Sequence, residues 1–231
     1  VGFSLPPPDS PIAALGSYAG GWNPAGLGSP EVLRPHVAAT AIVQLLTLGR
    51  GGLAVALITV AAFIGGAFGM SRLLRTWGVG STSGLLAGLV LMAGPGLVAI
   101  TGDTHWTAIP ATAVLPWAVL SAMSNREADR PSRVRAVAAT ALLVGVVAVF
   151  SPAMVAVPII AVALWAVVGV GSRVQGVIRV GLGTVAALGL LLPWVLFVDI
   201  GGFFADGTSA YWDPGWLMAG LVVVAVAGVL A

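Results

Sequence analysis

The sequence predicts an all-α protein: a polytopic bundle of about seven transmembrane helices with an N-terminal extracytoplasmic loop. Of its 231 residues, 58% are hydrophobic and only 8% are charged, and the mean hydropathy is +1.05. Soluble domains on average carry about 25% charged residues. Because so few polar side chains could not cover a surface exposed to water, most of that surface is expected to face lipid.

Apolar stretches recur along the chain at the length that a bilayer requires. Crossing a hydrocarbon core of roughly 30 Å takes about 20 helical residues. Pro152 divides the longest stretch into a helical hairpin, because proline interrupts a helix and restricts the preceding residue. The shorter run 37–48 is interpreted as a juxtamembrane or re-entrant helix, with a short span as the alternative. The predicted spans are 52–70, 83–100, 106–123, 134–150, 153–170, 180–198 and 215–231.

Two parts of unequal length follow from these spans. Residues 1–51 form the extracytoplasmic loop with its short juxtamembrane helix, and residues 52–231 form the transmembrane bundle. The polar, Pro- and Gly-rich opening lacks the apolar core of a signal peptide. The chain begins at Val1 and is still apolar at Ala231, so we expect an internal fragment of a longer membrane protein.

The arginines predict the topology. Basic residues occupy connections 71–82, 124–135 and 171–179, which alternate with connections that have none. The positive-inside rule places these three in the cytoplasm and residues 1–36 outside, and Arg50, just before the first span, is an exception. The sequence pI is about 9.9, but the net charge is only +2, so these arginines are interpreted as topology signals and no nucleic-acid partner is expected. The absence of cysteine excludes disulfides and thiolate metal sites.

The first cluster of polar residues that could take part in binding or catalysis lies in the opening loop. It combines an aromatic ring, an amide, a carboxylate and two potential cations, namely Trp22, Asn23, Glu31, Arg34 and His36. Tryptophan stacks on sugar faces, and the planar arginine fork suits phosphate. The alternative is an ordered loop that caps the bundle, with Arg34 among lipid headgroups.

The second cluster, Asp103-Thr104-His105-Trp106, lies between the second and third spans. A carboxylate two residues from an imidazole can relay a proton or bind a divalent cation, but two ligands make a weak metal site. The alternative is a helix N-cap from Asp103 or Thr104 with Trp106 as an interfacial anchor. A third cluster, with Asp199, Asp206 and Asp213, is interpreted as a solvated connection.

Features within the spans argue for packing rather than ion transport. The predicted spans contain almost no ionisable residue, whereas ion-coupled pumps usually need intramembrane charge. Two glycine pairs stand at helix-packing spacing, Gly65–Gly69 and Gly84–Gly88, and packing is favoured at the first. Chance in a Gly-rich chain is the alternative. Gly94-Pro95-Gly96 predicts a kink inside the second span.

The order of several motifs resembles that of the GT-C class of multi-spanning glycosyltransferases, in particular its YfhO-like and arabinofuranosyltransferase-D-like branches. The resemblance covers about residues 20–170. The motifs that carry it are Trp22-Asn23-Pro24 with 26–30, the span ending at 69–79, Gly102-Asp103-Thr104-His105, and the helix start at 113–120.

This resemblance implies transfer of a sugar from a polyprenyl-phosphate donor to an envelope glycan or lipid acceptor. The reaction takes place on the outer face of the bacterial cytoplasmic membrane. A carboxylate in the first outer loop acts as general base in this class, and Glu31 is the candidate there. Asp103, in the second cluster, is the other candidate, with His105 beside it. Asp9 shares the loop with Glu31, and the family base is also expected upstream of Val1. Trp22, Asn23, Arg34, His36 and Trp106 are the candidate substrate-binding residues.

Other functions stay open beside this one. The chain is alternatively a non-catalytic membrane scaffold or a module that binds the lipid carrier, with active residues elsewhere. A transporter or flippase is the third hypothesis. No cofactor is assigned, a divalent cation being the only one considered, and membrane lipids are expected partners in every case.

Overall fold

A computed structural model of the chain describes residues 10–20, 35–94, 106–123, 130–168 and 174–190. All regular secondary structure in these ranges is helical, which confirms the all-α class. The helices are α1 (Pro11–Gly20), α2 (Pro35–Leu46), α3 (Gly51–Arg75), α4 (Ser81–Ala93), α5 (Ala108–Met123), α6 (Arg130–Phe150), α7 (Ala156–Val168) and α8 (Val174–Leu190), with a 3₁₀ turn at Pro152–Val155.

The helix bounds agree with most of the predicted spans and correct others. The predicted helix break at Ser151-Pro152 is present, because α6 ends at Phe150 and the 3₁₀ turn follows. The two helices that it joins do not pair as a hairpin, because α7 packs mainly against α5 and α8. Helix α8 starts six residues earlier than its predicted span. Helix α1 lies inside the segment predicted as a loop, where the Pro- and Gly-rich composition gave no helical signal. The seventh predicted span lies outside the described residues.

The predicted kink at Gly94-Pro95-Gly96 coincides with the end of α4, and the rest of the second predicted span lies outside the described residues. Helix α4 stops at Ala93, and Gly94 takes an extended conformation with φ −64° and ψ 154°. A residue before proline is biased toward this conformation, so Pro95 accounts for the stop. A side chain at Gly94 would also strike the Val90 carbonyl oxygen.

Contacts between α3, α4 and α5 fix their directions. Gly66 of α3 lies against Ala113 of α5, and Gly69 lies against the Trp117 ring. The two positions advance together along both helices, so α3 and α5 run parallel. Helix α4 is antiparallel to α3, because Gly88 lies against Ala67 and Gly84 against Ser71.

The remaining helices continue this alternation. Ser121 of α5 hydrogen-bonds Thr140 of α6 at 3.0 Å, whereas Trp106 meets Phe150, so α5 and α6 are antiparallel. A side chain at Gly183 of α8 would contact Ala141 of α6. Ala187 clusters with Val144 one turn further along both helices, so these two run parallel.

Three arginine-bearing helix termini therefore lie at one end of the bundle. They are the C-terminus of α3 and the N-termini of α6 and α8, and together they define the arginine end. Arg72 and Arg75 fall in the last turns of α3, and Arg135 in the second turn of α6. Arg50 precedes α3 at the opposite end.

Glycines close the turns on both sides of α3. Leu48 and Gly49 have positive φ angles of 54° and 82°, and the Gly49 amide donates to the Gln44 carbonyl at 2.9 Å. At the arginine end Gly78 has φ 84°, and the Val79 amide donates to the Leu74 carbonyl at 3.2 Å. Both patterns satisfy the last carbonyls of a helix through left-handed residues.

Small side chains fill the interior and large ones cover the outside. Alanine makes up more than half of the buried hydrophobic residues in the described part of the chain. On α3 the buried stripe is Ala62, Gly66 and Gly69. The exposed stripe of the same helix is Leu53, Leu57, Val60, Ile64 and Phe68. A helix on the surface of a water-soluble domain turns its large apolar face inward, so this arrangement is reversed.

Within the described residues, α3 alone is both long enough and apolar enough to cross a membrane. Several shorter helices are apolar but fall below that length, namely Pro35–Leu46, Ser81–Ala93, Ala108–Met123 and Val134–Phe150.

The glycine pairs act differently from the prediction. Gly84 and Gly88 both lie against α3, and a side chain at Gly88 would come within 2.5–2.9 Å of Ala67 backbone atoms. Only Gly69 of the favoured pair sits in a close contact, with Trp117. Gly65 faces open space and instead accepts a 2.8 Å hydrogen bond from Trp117 Nε1 through its carbonyl.

Candidate functional site

An aromatic cluster joins three helices at the end opposite the arginines. It consists of His36 in the first turn of α2, Trp106 just before α5, and Phe150 at the end of α6. The His36 and Trp106 ring centroids are 6.3 Å apart at 88°, and those of Trp106 and Phe150 are 6.1 Å apart at 71°. Both pairs are edge-to-face, the arrangement that the aromatic quadrupole favours.

The aromatic cluster is recessed from the end of the bundle. Since Gly66 lies opposite Ala113, Trp106 falls level with about Thr59 of α3. At a rise of about 1.5 Å per residue, this level is roughly 13 Å along the axis from Arg50. Helix α2 packs beside this protruding part of α3. Helix α2 and the first turns of α3 therefore extend past the aromatic cluster toward this end of the bundle.

An apolar groove opens beside the aromatic cluster, between α1, α2 and α6. Its volume is about 260 Å³. Pro35 is the chain neighbour of His36, and Val149 is the neighbour of Phe150, so the groove lies near the cluster. The lining residues are Tyr18, Pro35, Ala38, Ala39, Ile42, Leu142, Gly145, Val146 and Val149.

Tyr18 carries the one titratable side chain among those lining residues. Burial raises the pKa of its phenol above the ordinary value of about 10. Desolvation disfavours the phenolate, so the hydroxyl stays protonated and can donate a hydrogen bond at neutral pH. The groove is thus an apolar slot with a single neutral hydroxyl on its wall.

The structure brings together two of the eight predicted site residues. His36 and Trp106 belong to separate polar clusters of the sequence, 70 positions apart, and their rings are in contact. The other six lie outside the described residues: Trp22, Asn23, Glu31, Arg34, Asp103 and His105. The covalent chain alone keeps the Asp103 Cα within roughly 11 Å of the Trp106 Cα, at about 3.8 Å per residue.

Phe150 and the groove-lining residues were missed by sequence reasoning. Phe150 stands next to Ser151-Pro152, a turn predicted correctly, so its place at a bundle end was within reach. Nothing in the sequence showed that this turn would meet the start of α5. Tyr18 lies in helix α1, which was not predicted. Gly145 and Val146 have no sequence feature that distinguishes them from the rest of the predicted span.

Carboxylates are concentrated outside the described helices. All eight acidic residues of the sequence fall in segments that the structure does not describe, including Glu31, Asp103 and the Asp199, Asp206 and Asp213 cluster. In the described ranges no group of three or more metal-ligating side chains comes together. The described part of the site can therefore stack, hydrogen-bond and accept apolar chains.

Comparison with protein-family models, with curated proteins and with solved structures gives no match.

Proposed function

We propose that this chain is the membrane module of a glycosyltransferase that uses a lipid-linked sugar donor. The observation that carries this proposal is the contact of His36 with Trp106 beside an apolar groove. That contact joins the two polar clusters that the GT-C resemblance marks as substrate-binding and catalytic. The acceptor is an envelope glycan or lipid on the outer face of the bacterial cytoplasmic membrane.

Membrane insertion is supported first by the reversed packing of α3. Its exposed stripe of large apolar side chains would be unfavourable in water but is favourable in contact with lipid chains. The 22 residues from Arg50 to Arg72 correspond to roughly 33 Å of helix, close to the roughly 30 Å hydrocarbon core. Both charges then reach headgroups, one on each side. The full proposal is seven spans, with the arginine end in the cytoplasm.

The recessed position of the aromatic cluster suits a donor that arrives within the bilayer. A polyprenyl chain is apolar and enters laterally, whereas its phosphate and sugar are polar. The groove accepts apolar chain, and the rings of His36 and Trp106 offer edges and faces for a sugar. The cluster lies roughly 13 Å from the level of Arg50, so donor and aqueous acceptor meet in the recess.

The acid–base chemistry is assigned to residues adjoining the aromatic cluster in sequence. Asp103 or Glu31 acts as general base on the acceptor hydroxyl, and His105 assists in proton transfer. Arg34, two residues before His36, binds the donor phosphate and stabilises the leaving group. Trp22 and Asn23 complete the sugar site. This division leaves the described helices as the rigid support of the reaction.

One alternative is favoured by a specific observation. The described residues include no carboxylate, so this part of the chain by itself can bind a lipid carrier but cannot supply the carboxylate base that the catalytic proposal requires. In that case the module is a non-catalytic scaffold. A transporter or flippase remains the third proposal.

The test measures sugar transfer from a labelled polyprenyl-phosphate donor by the full-length protein. Asp103→Asn and Glu31→Gln remove one candidate base each, and Asp206→Asn is the matched carboxylate control. Loss of the base lowers the rate by about 10²- to 10⁴-fold. The control retains its rate. Full transfer by both site variants would overturn the catalytic proposal, and donor binding without transfer in the wild type would establish the scaffold instead.

A further inference from the structure

The charges of the chain are distributed unevenly along the sequence. Segments 71–82, 124–135 and 171–179, which include the three termini of the arginine end, hold eight arginines and two carboxylates, a net charge of +6. The whole chain has +2, so the rest of the sequence carries −4. Every basic residue of the chain is an arginine. The eight in these segments are Arg72, Arg75, Arg126, Arg130, Arg133, Arg135, Arg173 and Arg179.

The arginine side chains that are described at this end are open to a ligand. Arg72, Arg75 and Arg135 are all exposed. None of the three forms an ion pair with another described residue, since the described ranges contain no carboxylate. Because α3 and α6 both pack against α5, the helix termini that carry these arginines lie on two sides of the C-terminal end of α5. A patch with an excess of positive charge attracts anions.

Helix polarity increases this attraction at two of the three termini. Arginine near a helix C-terminus, as in α3, is stabilised by the helix dipole. Helices α6 and α8 present the opposite case, because their positive N-termini lie at this end. An anion placed at such an N-terminus is stabilised by the helix dipole.

An exposed tryptophan indicates at what depth this anion lies. Trp77, in the turn between α3 and α4, is 43% exposed and belongs to the arginine end. Exposed tryptophans at the ends of membrane helices favour the headgroup layer. Trp77 follows Arg75 by two residues, so guanidinium groups and indole share that layer. The planar fork of arginine binds phosphate oxygens in pairs.

We infer that the arginine end binds the phosphate groups of anionic phospholipids in the leaflet that it faces. Arg72, Arg75 and Arg135 are the described ligands, and the N-termini of α6 and α8 supply further positive potential. This inference rests on the membrane location in the proposed function and is independent of sugar transfer. Bound anionic lipid stabilises the folded chain, because the lipid binds the native arrangement of helix ends and not the unfolded one.

The experiment compares thermal unfolding of the full chain in two kinds of vesicle. One is pure phosphatidylcholine, and the other is an equal mixture with phosphatidylglycerol. We expect a higher unfolding midpoint in the anionic vesicles, with the gain reduced by high salt. The triple variant Arg72→Gln, Arg75→Gln, Arg135→Gln loses more than half of that gain. Arg50→Gln, an exposed arginine at the other end, retains it.

Two further arms separate the possible outcomes. Inorganic phosphate added to phosphatidylcholine vesicles leaves the midpoint unchanged if the ligand is a headgroup, and an equal gain with phosphate would overturn the lipid assignment. An undiminished gain in the triple variant would overturn the site. Flotation with both vesicles precedes these measurements: a chain that floats with neither contradicts membrane location itself, whereas insertion without any dependence on lipid charge contradicts this inference alone.

Discussion

The close-packed helices α3–α5 and the outer layer of α1 and α2 meet their neighbours in different ways. Between α3 and α4, Gly88 brings the two backbones into direct contact at Ala67. Between α3 and α5, the Trp117 indole both packs on Gly69 and donates to the Gly65 carbonyl. In contrast, α1 and α2 leave a groove of about 260 Å³ against α6.

This difference distinguishes the helices that support the aromatic cluster from the layer that leaves room for a ligand. In lipid, helices gain little from burying apolar surface, so close backbone approach and interhelical hydrogen bonds hold them together. The α3–α5 region uses both. The α1–α2 layer leaves its apolar wall open beside the aromatic cluster. The rigid region therefore positions Trp106, and the open layer provides access to it.

The largest effect is predicted for a substitution in the close-packed α3–α4 contact. Gly88→Ala places a methyl group within 2.5–2.9 Å of Ala67 backbone atoms, so α3 and α4 must separate. We expect a loss of about 3 kcal/mol in unfolding free energy, the upper range for overpacking. Gly65→Ala, whose added methyl meets open space, is the control with the same gain in helix propensity. Equal stability of the two variants in detergent unfolding would contradict this packing.

Trp106→Ala tests the junction between the two regions. It removes both edge-to-face contacts, with His36 and with Phe150, and leaves a gap between α2, α5 and α6. Aromatic pairs contribute about 0.5–1.5 kcal/mol each beyond buried area, so we expect a loss of about 2 kcal/mol. Trp77→Ala changes an exposed ring and serves as the control. An unfolding curve for Trp106→Ala that overlays the control would show that the cluster does not hold the helices together.

A smaller effect is expected at the polar contact between α5 and α6. Thr140 is fully buried, and its hydroxyl lies 3.0 Å from that of Ser121. Thr140→Val keeps the shape and removes this hydrogen bond. Interhelical hydrogen bonds in membranes contribute about 0.6 kcal/mol on average. A double-mutant cycle with Ser121→Ala measures the coupling, and a coupling of zero would mean that the two hydroxyls do not interact.

The smallest effect is predicted for Tyr18, which lines the groove beside α1 and α2. Burial raises the pKa of Tyr18 above about 10, so the neutral phenol is favoured in the folded chain. This contribution to stability is fully present below the unfolded-state pKa and is lost as the pH rises through the folded-state pKa. The difference in phenolate absorbance between the wild type and Tyr18→Phe isolates this group. A midpoint at or below the ordinary value would show that the phenol is not buried.

The sequence was sufficient for most helices of the bundle, but not for α1 or for the site. Hydrophobic length located α3 and α5, and Pro152 located the end of α6, because both depend on local chain chemistry. The arginine-bearing connections were predicted to lie on one side, and the helix directions place them at one end. The contact of His36 with Trp106 could not be predicted, since it depends on how α2 packs on distant helices.

Glycine spacing also had limited value. Two pairs had the same spacing, and the prediction favoured Gly65–Gly69, yet both residues of Gly84–Gly88 lie against a neighbouring helix. Spacing identifies a flat stripe on a helix, but the opposing helix decides whether it is used. Here Ala67 and Ser71 supply the complementary small residues on α3.

Single-cysteine labelling tests most directly whether lipid surrounds the bundle and separates its two ends. The chain contains no cysteine, so an introduced thiol is unique. Leu48→Cys lies in the exposed turn before α3, and Thr82→Cys lies in the exposed first turn of α4 at the arginine end. With an impermeant maleimide on right-side-out vesicles, we predict labelling of Leu48→Cys at once and of Thr82→Cys only after permeabilisation. Labelling of both from the same side of sealed vesicles would contradict the account.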